Sequence, residues 1–276
     1  MPQPLSVAQK RVFIKHIWSF YKKEKRLFPW RETRDAYRIL VSEIMLQQTQ
    51  VDRVVAKYNS FLKKWPTIKK LAQADLRDVL EEWSGLGYNR RGKNLWLLAQ
   101  EVVSKYGGAI PDTAALLEDL PGIGPYTARA ILAFAFNKPH VFIETNIRAV
   151  YIHSFFGGTS RKIADGEIFP IIEATVDQLR PREWYYALMD YGAYLKKNKL
   201  STNTRHKNYR KQSTFKGSLR EARGAIMREL IKSQSTLRKI EERTAIPKER
   251  LMLAAEALLK EKIIAKKGTT FFIFSS

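Results

Sequence analysis

The sequence predicts an all-α chain with a hairpin of two helices at its centre, closed by a small C-terminal winged-helix-like module. Three observations carry this. Apolar residues return at helical spacing over most of the chain. Leu120-Pro121-Gly122-Ile123-Gly124 makes one tight turn between two such helices. Strand signals are confined to the tail, where Ile263–Phe274 alternates around Gly268.

The elements follow in order. Residues 5–27 read as an amphipathic helix on Val7, Phe13, Ile14, Ile17, Trp18 and Tyr21. Phe28-Pro29-Trp30-Arg31 breaks it. An apolar helix from Tyr37 carries a single acid, Glu43, flanked by Leu40, Val41, Ile44 and Leu46. Apolar surroundings raise a carboxyl pKa, which suits a general acid; an acid at the helix edge or in a buried ion pair reads the same way. The polar run Gln47-Gln48-Thr49-Gln50 ends this helix. Its glutamines suit base edges or a gap in a base stack, and equally a solvated helix end.

Helices at about 52–64, 75–83 and 90–105 come next. The turn Ser84-Gly85-Leu86-Gly87-Tyr88 precedes the basic cluster Asn89-Arg90-Arg91-Gly92-Lys93. Tyr88 there suits wedging beside a base with phosphates held nearby, or packing in the core.

Leu116–Val150 organises the chain. Gly122 and Gly124 permit a tight turn and close backbone approach. Pro125 opens the second helix, which runs to about Phe136. Free N–H groups at its start favour an anion such as a DNA phosphate; a Leu-Pro-Gly turn also serves purely structural hairpins. Glu144 follows 20 residues after Gly124 and opens another helix.

Helices at about 163–178 and 182–195 lead into the polar, basic run Lys196–Lys216. This is a loop offering Arg205, Lys207, Arg210 and Lys211 to phosphates, or a solvated tether. In the tail, helices on Leu219–Leu230, around Leu237 and Ile240, and over about 247–260 precede the β-hairpin. Three helices and a wing make the winged helix-turn-helix pattern, which binds DNA or docks proteins.

Composition narrows the partners. Lys and Arg number 49 against 27 acids, a net charge of +22, which points to a nucleic acid. No apolar run is long enough to span a bilayer, and the N-terminus has no signal-peptide layout. Zero cysteines exclude disulfides, thiolate zinc sites and iron–sulfur clusters, and four scattered histidines argue against a transition-metal catalytic site. The expected setting is cytoplasmic and nucleoid-associated, as a monomer.

Five motifs, taken together, resemble the helix-hairpin-helix DNA glycosylases over residues 1–212, most closely the adenine DNA glycosylases of the MutY type. Phe28–Arg31 is similar to that family's LPWR. Ser42–Val51 is similar to SEVMLQQTQV almost letter for letter. Gly85-Leu86-Gly87-Tyr88 with Arg90, Arg91, Asn94 and Leu95 is similar to GLGYYxRxRNL. Leu120–Thr127 is similar to LPGVGPYT, and Glu144–Val150 falls on DGNVxRV, with Ala149 where the family has arginine.

The resemblance implies a helical-barrel domain over 29–140, a second helical domain from 1–28 plus 141–212, and the tail module at 217–276. It implies a base flipped out of a mismatched or damaged duplex into a pocket between two helical domains, with Gln48 and Tyr88 wedged into the stack. Glu43 would protonate adenine at N7. Glu144, helped by Asn146 and beside Tyr126, would stabilise the oxocarbenium ion. Bifunctional relatives have lysine at the Tyr126 position, so a monofunctional enzyme with little lyase activity is expected. DNA contacts are expected from Gln48, Tyr88, Arg90, Arg91, Gly122, Gly124, Arg148, Arg205 and Lys207. The carbonyls of Glu118, Leu120 and Ile123 would hold a Na⁺, K⁺ or Ca²⁺ ion.

Three departures stand out. Glu144 replaces the family's aspartate, Lys196 occupies the first cluster-cysteine position, and the 60-residue tail is too short for the domain that reads 8-oxoguanine. A related thymine glycosylase branch shares the tyrosine but has arginines at Gln47 and Gln48. Adenine opposite 8-oxoguanine or guanine is therefore the expected target. Thymine or uracil in a mismatch, or non-catalytic lesion binding, is the alternative.

Overall fold

The computed structural model describes residues 5–157, 161–200, 203–207, 209 and 214–274. Arg210 and Lys211, expected to face phosphates, lie outside the described residues.

Helix α1 (Val7–Glu24) begins at a Ser6–Gln9 capping box. After the Pro29–Arg31 turn come α2 (Ala36–Leu46), α3 (Val51–Lys64), α4 (Ile68–Ala72), α5 (Leu76–Trp83) and α6 (Arg90–Tyr106). The hairpin pair is α7 (Ala114–Glu118) and α8 (Pro125–Phe136), followed by α9 (Thr145–Phe155), α10 (Asp165–Thr175) and α11 (Pro181–Lys197). The tail holds α12 (Leu219–Lys232), β1 (Ser235–Thr236), α13 (Leu237–Thr244), α14 (Lys248–Lys260), β2 (Ile264–Lys267) and β3 (Thr270–Ile273). Its antiparallel sheet runs β1-β3-β2, the winged-helix arrangement. No helix among the described residues is long and apolar enough to cross a membrane.

The chain forms two compact units: 1–39 with 112–119 and 123–211, and 40–111 with 120–122 and 212–276. This grouping differs from the expected partition in two places. The hairpin helix α8 belongs with the terminal segments rather than with a 29–140 barrel, because Ala130, Ala133 and Phe134 enter the core built on Ile147, Tyr151, Trp184 and Tyr185. Phe134 stacks on Tyr186 with centroids 4.6 Å apart.

The tail, in turn, is seated on α5 and α6 rather than separate. Arg77 Nε donates to Ile231 O at 3.0 Å and its Nη2 to Lys232 O at 2.9 Å. Lys93 Nζ donates to Glu261 O at 2.7 Å and Lys262 O at 3.1 Å. Each cation meets carbonyls at the C-terminal end of a tail helix, where the helix dipole is negative.

The Phe28-Pro29-Trp30-Arg31 motif is structural. Trp30 is buried, and Arg31 binds the buried Asp190 through both terminal nitrogens at 2.8 and 2.9 Å. Arg26 Nε joins the same carboxylate at 2.7 Å.

Candidate active site

In the unit containing α2, α3, α5 and α6, three segments distant in sequence converge on one notch. A cavity of about 240 Å³ is lined by Ile44, Gln47, Gln48, Tyr88, Arg90, Arg91, Asn94 and Gly122. That is smaller than an ordinary ligand pocket, which fits a surface cleft better than an enclosed reaction chamber.

The two expected wedge residues share an unusual backbone. Gln48 has φ 56° and Tyr88 has φ 49°. Non-glycine residues with positive φ carry strain and cluster at functional sites. Asn137 and Ala245 share this conformation but end helices α8 and α13. Gln48 also follows a helix, two residues past the end of α2, whereas Tyr88 lies in the turn that precedes α6. Tyr88 remains 39% exposed.

Gly122 is required for two reasons. Its φ of 80° is left-handed, and a Cβ there would lie 2.8 Å from the Asn94 side chain. Gly124 differs: its φ is −103°, and nothing lies within 4 Å of a Cβ placed on it. It leaves the start of α8 without a side-chain cap.

Arg91, expected to contact DNA, lines the cavity with its guanidinium held by the protein. Nη1 donates to Ile44 O at 2.7 Å and Met45 O at 3.0 Å. Nη2 donates to Thr49 Oγ1 and Leu86 O at 3.0 Å and to Gly87 O at 3.1 Å. Burial pushes its pKa down to about 10, against the opposing pull of Tyr88, so it stays charged at neutral pH. Arg90, by contrast, is exposed beside the cavity.

Glu43 sits on α2 one residue before the cavity lining and is only 7% exposed. Leu40, Val41, Ile44 and Met45 around it are buried.

In the other unit, Glu144 is the N-cap of α9. Its Oε1 accepts from Asn146 N and Ile147 N, both at 2.8 Å, and its Oε2 accepts from Asn146 Nδ2 at 3.2 Å. Burial raises its pKa above the usual carboxylate range, while those bonds and Arg148 pull it down. Tyr126, near the start of α8, meets Phe142 edge-on at 5.7 Å.

Arg148 is bound within the protein. Its Nε and Nη2 hold Asp165 at 2.6 and 2.8 Å, and His206 Nε2 lies 3.2 Å from the same carboxylate. Arg205 also turns inward, its Nη2 donating to Phe156 O. The segment is pinned by Ile163 N to Arg205 O and Lys207 N to Ile163 O, both 2.9 Å. Only Lys207 of these three basic side chains is exposed.

Asn94 and Gln47, both within the quoted motifs, line the cavity. Sequence reasoning missed the role of Gly192, which lets α11 approach α9: a Cβ there would lie 2.5 Å from Asn146 O. The glycine in Tyr191-Gly192-Ala193-Tyr194 was the available signal.

The chain is similar to known proteins over about two thirds of its length. The pattern of the HhH-GPD superfamily base excision DNA repair proteins matches residues 41–177. Adenine DNA glycosylase from Rattus norvegicus is 37% identical over 198 residues, covering 68% of this chain and 38% of that protein. Thymine/uracil-DNA glycosylase from Methanothermobacter thermautotrophicus is 30% identical over 190 residues, covering 68% of this chain and 86% of that protein. A solved thermostable thymine-DNA glycosylase superposes with TM-score 0.62 at 31% identity, covering 67% of this chain and 87% of its own. The chain thus spans well under half the length of the mammalian adenine enzymes it matches.

Proposed function

Because the chain belongs to the HhH-GPD superfamily of base excision DNA repair proteins, we propose that it is a monofunctional DNA N-glycosylase removing mismatched adenine. The observation carrying this reading is the convergence of Gln48, Tyr88 and Gly122 on one cavity, both wedge residues being held at positive φ. Such a wedge fills the space left by a base that leaves the stack.

The chemistry follows from the two carboxyls. Glu43 gives its proton to adenine N7, and the C1′–N9 bond breaks with its electron pair going to the base. Glu144, ionised and oriented by Asn146, stabilises the oxocarbenium sugar. Water then adds at C1′ and releases a proton, leaving an abasic site and free adenine. Tyr126 offers no amine for a Schiff base, so strand cleavage by the enzyme is weak. Arg90 and Lys207 serve as phosphate contacts, and the Glu118, Leu120 and Ile123 carbonyls hold a monovalent ion or Ca²⁺ beside a phosphate. A cysteine-ligated cluster does not suit the basic segment after α11, whose anchors are Arg205, His206 and backbone bonds to Ile163. The protein acts as a monomer on nucleoid DNA.

Adenine is favoured by Gln47 and Gln48 and by the higher identity to adenine enzymes, 37% against 30%. Thymine or uracil is the second reading, because the chain covers 86% of that relative but 38% of the rat adenine enzyme. Labelled duplexes carrying A:8-oxoG, A:G, T:G or U:G, cleaved with alkali after incubation, separate the two. Breaks at the adenine strand support the first reading; breaks only at T:G or U:G support the second. Binding without breaks at any duplex marks a lesion sensor. Glu43→Gln is expected to abolish the breaks while retaining binding.

A further inference from the structure

The turns that carry Gln48 and Tyr88 are about 40 residues apart in sequence, and neither belongs to a helix. Each holds a non-glycine residue at positive φ, a conformation an isolated turn leaves readily. One side chain touches both turns. Arg91 reaches the last carbonyls of α2 at Ile44 and Met45, the Thr49 hydroxyl, and the carbonyls of Leu86 and Gly87. Its guanidinium also lies over the Tyr88 ring at 5.6 Å and the Trp83 ring at 5.5 Å. Thr49 Oγ1 donates onward to Leu86 O at 3.2 Å, closing the link from the second side. The Trp83 indole donates to Gly87 O at 3.2 Å, so that carbonyl is held twice.

We propose that Arg91 is a positioning residue that locks the Gln48 turn and the Tyr88 turn into one preformed wedge. Only a planar fork of donors can satisfy acceptors on two separate turns at once. A lysine ammonium is a point charge with three donors, and it can serve one turn or the other. With the staple in place, the strain at Gln48 and Tyr88 is borne by the fold before DNA arrives, so insertion does not have to order either turn. The consequence for DNA rests on the glycosylase reading; the mechanical coupling does not.

The test has two arms, each applied to Arg91→Lys and Arg91→Gln. The first is hydrogen exchange of the DNA-free protein. The expected result is a loss of protection of about tenfold or more at residues 46–50 and 86–89 together, with the tail helices α12 and α14 unchanged. Loosening at one turn alone, or at neither, overturns the proposal; loosening everywhere also overturns it, by showing a general stability role. The second arm compares single-turnover excision from a mismatched duplex with excision from a duplex whose target base faces a gap. Unstacking is already done in the gapped substrate, so the variants should lose about tenfold or more on the mismatch and less than threefold on the gap. Equal losses on both overturn the wedge role. Adding Arg91→Gln to Gln48→Ala/Tyr88→Ala should cause no further loss on the mismatch. If the unaltered protein excises no base at all, the glycosylase reading fails, and the exchange arm still decides the staple.

Discussion

Glu144 takes a position where a shorter acid makes the better helix cap. The longer arm nonetheless folds back and accepts two backbone N–H bonds at 2.8 Å, plus the Asn146 amide at 3.2 Å. Capping therefore survives the extra methylene, and desolvation of the half-buried carboxyl is the largest cause acting on its pKa. Because burial raises the carboxyl pKa, the folded state binds this proton more tightly than the unfolded chain. The protonated form thus adds stability below the ordinary value of 4.5, and that contribution is lost as pH rises through the raised value. The proposed mechanism needs the ionised form, so the acid limb of the pH–rate profile should have its midpoint above 4.5. Asn146→Ala removes a donor to the charged form and should move that midpoint higher still. A single-turnover profile in which the midpoint falls or stays put would show that Asn146 does not tune Glu144. Glu144→Asp tests the arm length itself: a faster rate marks the glutamate as a handicap, a slower one marks a pocket shaped around it.

At the scale of elements, glycines mark where close packing meets the site. Gly192 faces Asn146 so closely that an added Cβ would lie 2.5 Å from a backbone oxygen, which cannot rotate away. Gly192→Ala should cost roughly 1–3 kcal/mol by overpacking and displace the first turn of α9. The expected reading is a slower single-turnover rate with unchanged duplex affinity; a change in affinity alone would put Gly192 at the DNA surface instead. Gly122→Ala should cost about 1–2 kcal/mol from its left-handed φ, measured by denaturant unfolding.

The hairpin was legible in sequence because proline and glycine fix backbone angles locally: α8 spans Pro125–Phe136, the expected range. Gln48, Tyr88 and Gly122, which line one cavity, stand in motifs that the sequence displays. Helix α4 was missed, being a five-residue turn too short to show a period. Strand β1 was missed because two residues gain a ladder only from β3, which lies far along the chain. The internal partners of Arg91 and Arg148 do not show in the sequence, because side-chain direction depends on tertiary neighbours, here the carbonyls at the end of α2 and Asp165. The same limit hid the seating of the tail, which hangs on Arg77 and Lys93 reaching helix-end carbonyls.

At the scale of the whole chain, 49 basic residues against 27 acidic ones supply a field that attracts a polyanion without reading its sequence. Part of that charge is spent internally, as at Arg31, Arg91 and Arg148, so formal charge overstates what DNA meets. Salt dependence measures the remainder, since log K falls with log salt by about 0.9 per neutralised phosphate. The tail decides whether that footprint extends beyond the HhH-GPD region. Its wing exposes Lys266 and Lys267 on β2, whereas α14 exposes Met252 and Leu253, which are poorly suited to a phosphate backbone. If the wing lies on DNA, Lys266→Ala/Lys267→Ala should flatten the salt slope by about 2 and weaken binding equally for mismatched and matched duplexes. Excision from a saturated complex should be unchanged, because no residue of the wing lines the cavity. An unaltered slope would take the wing off the DNA.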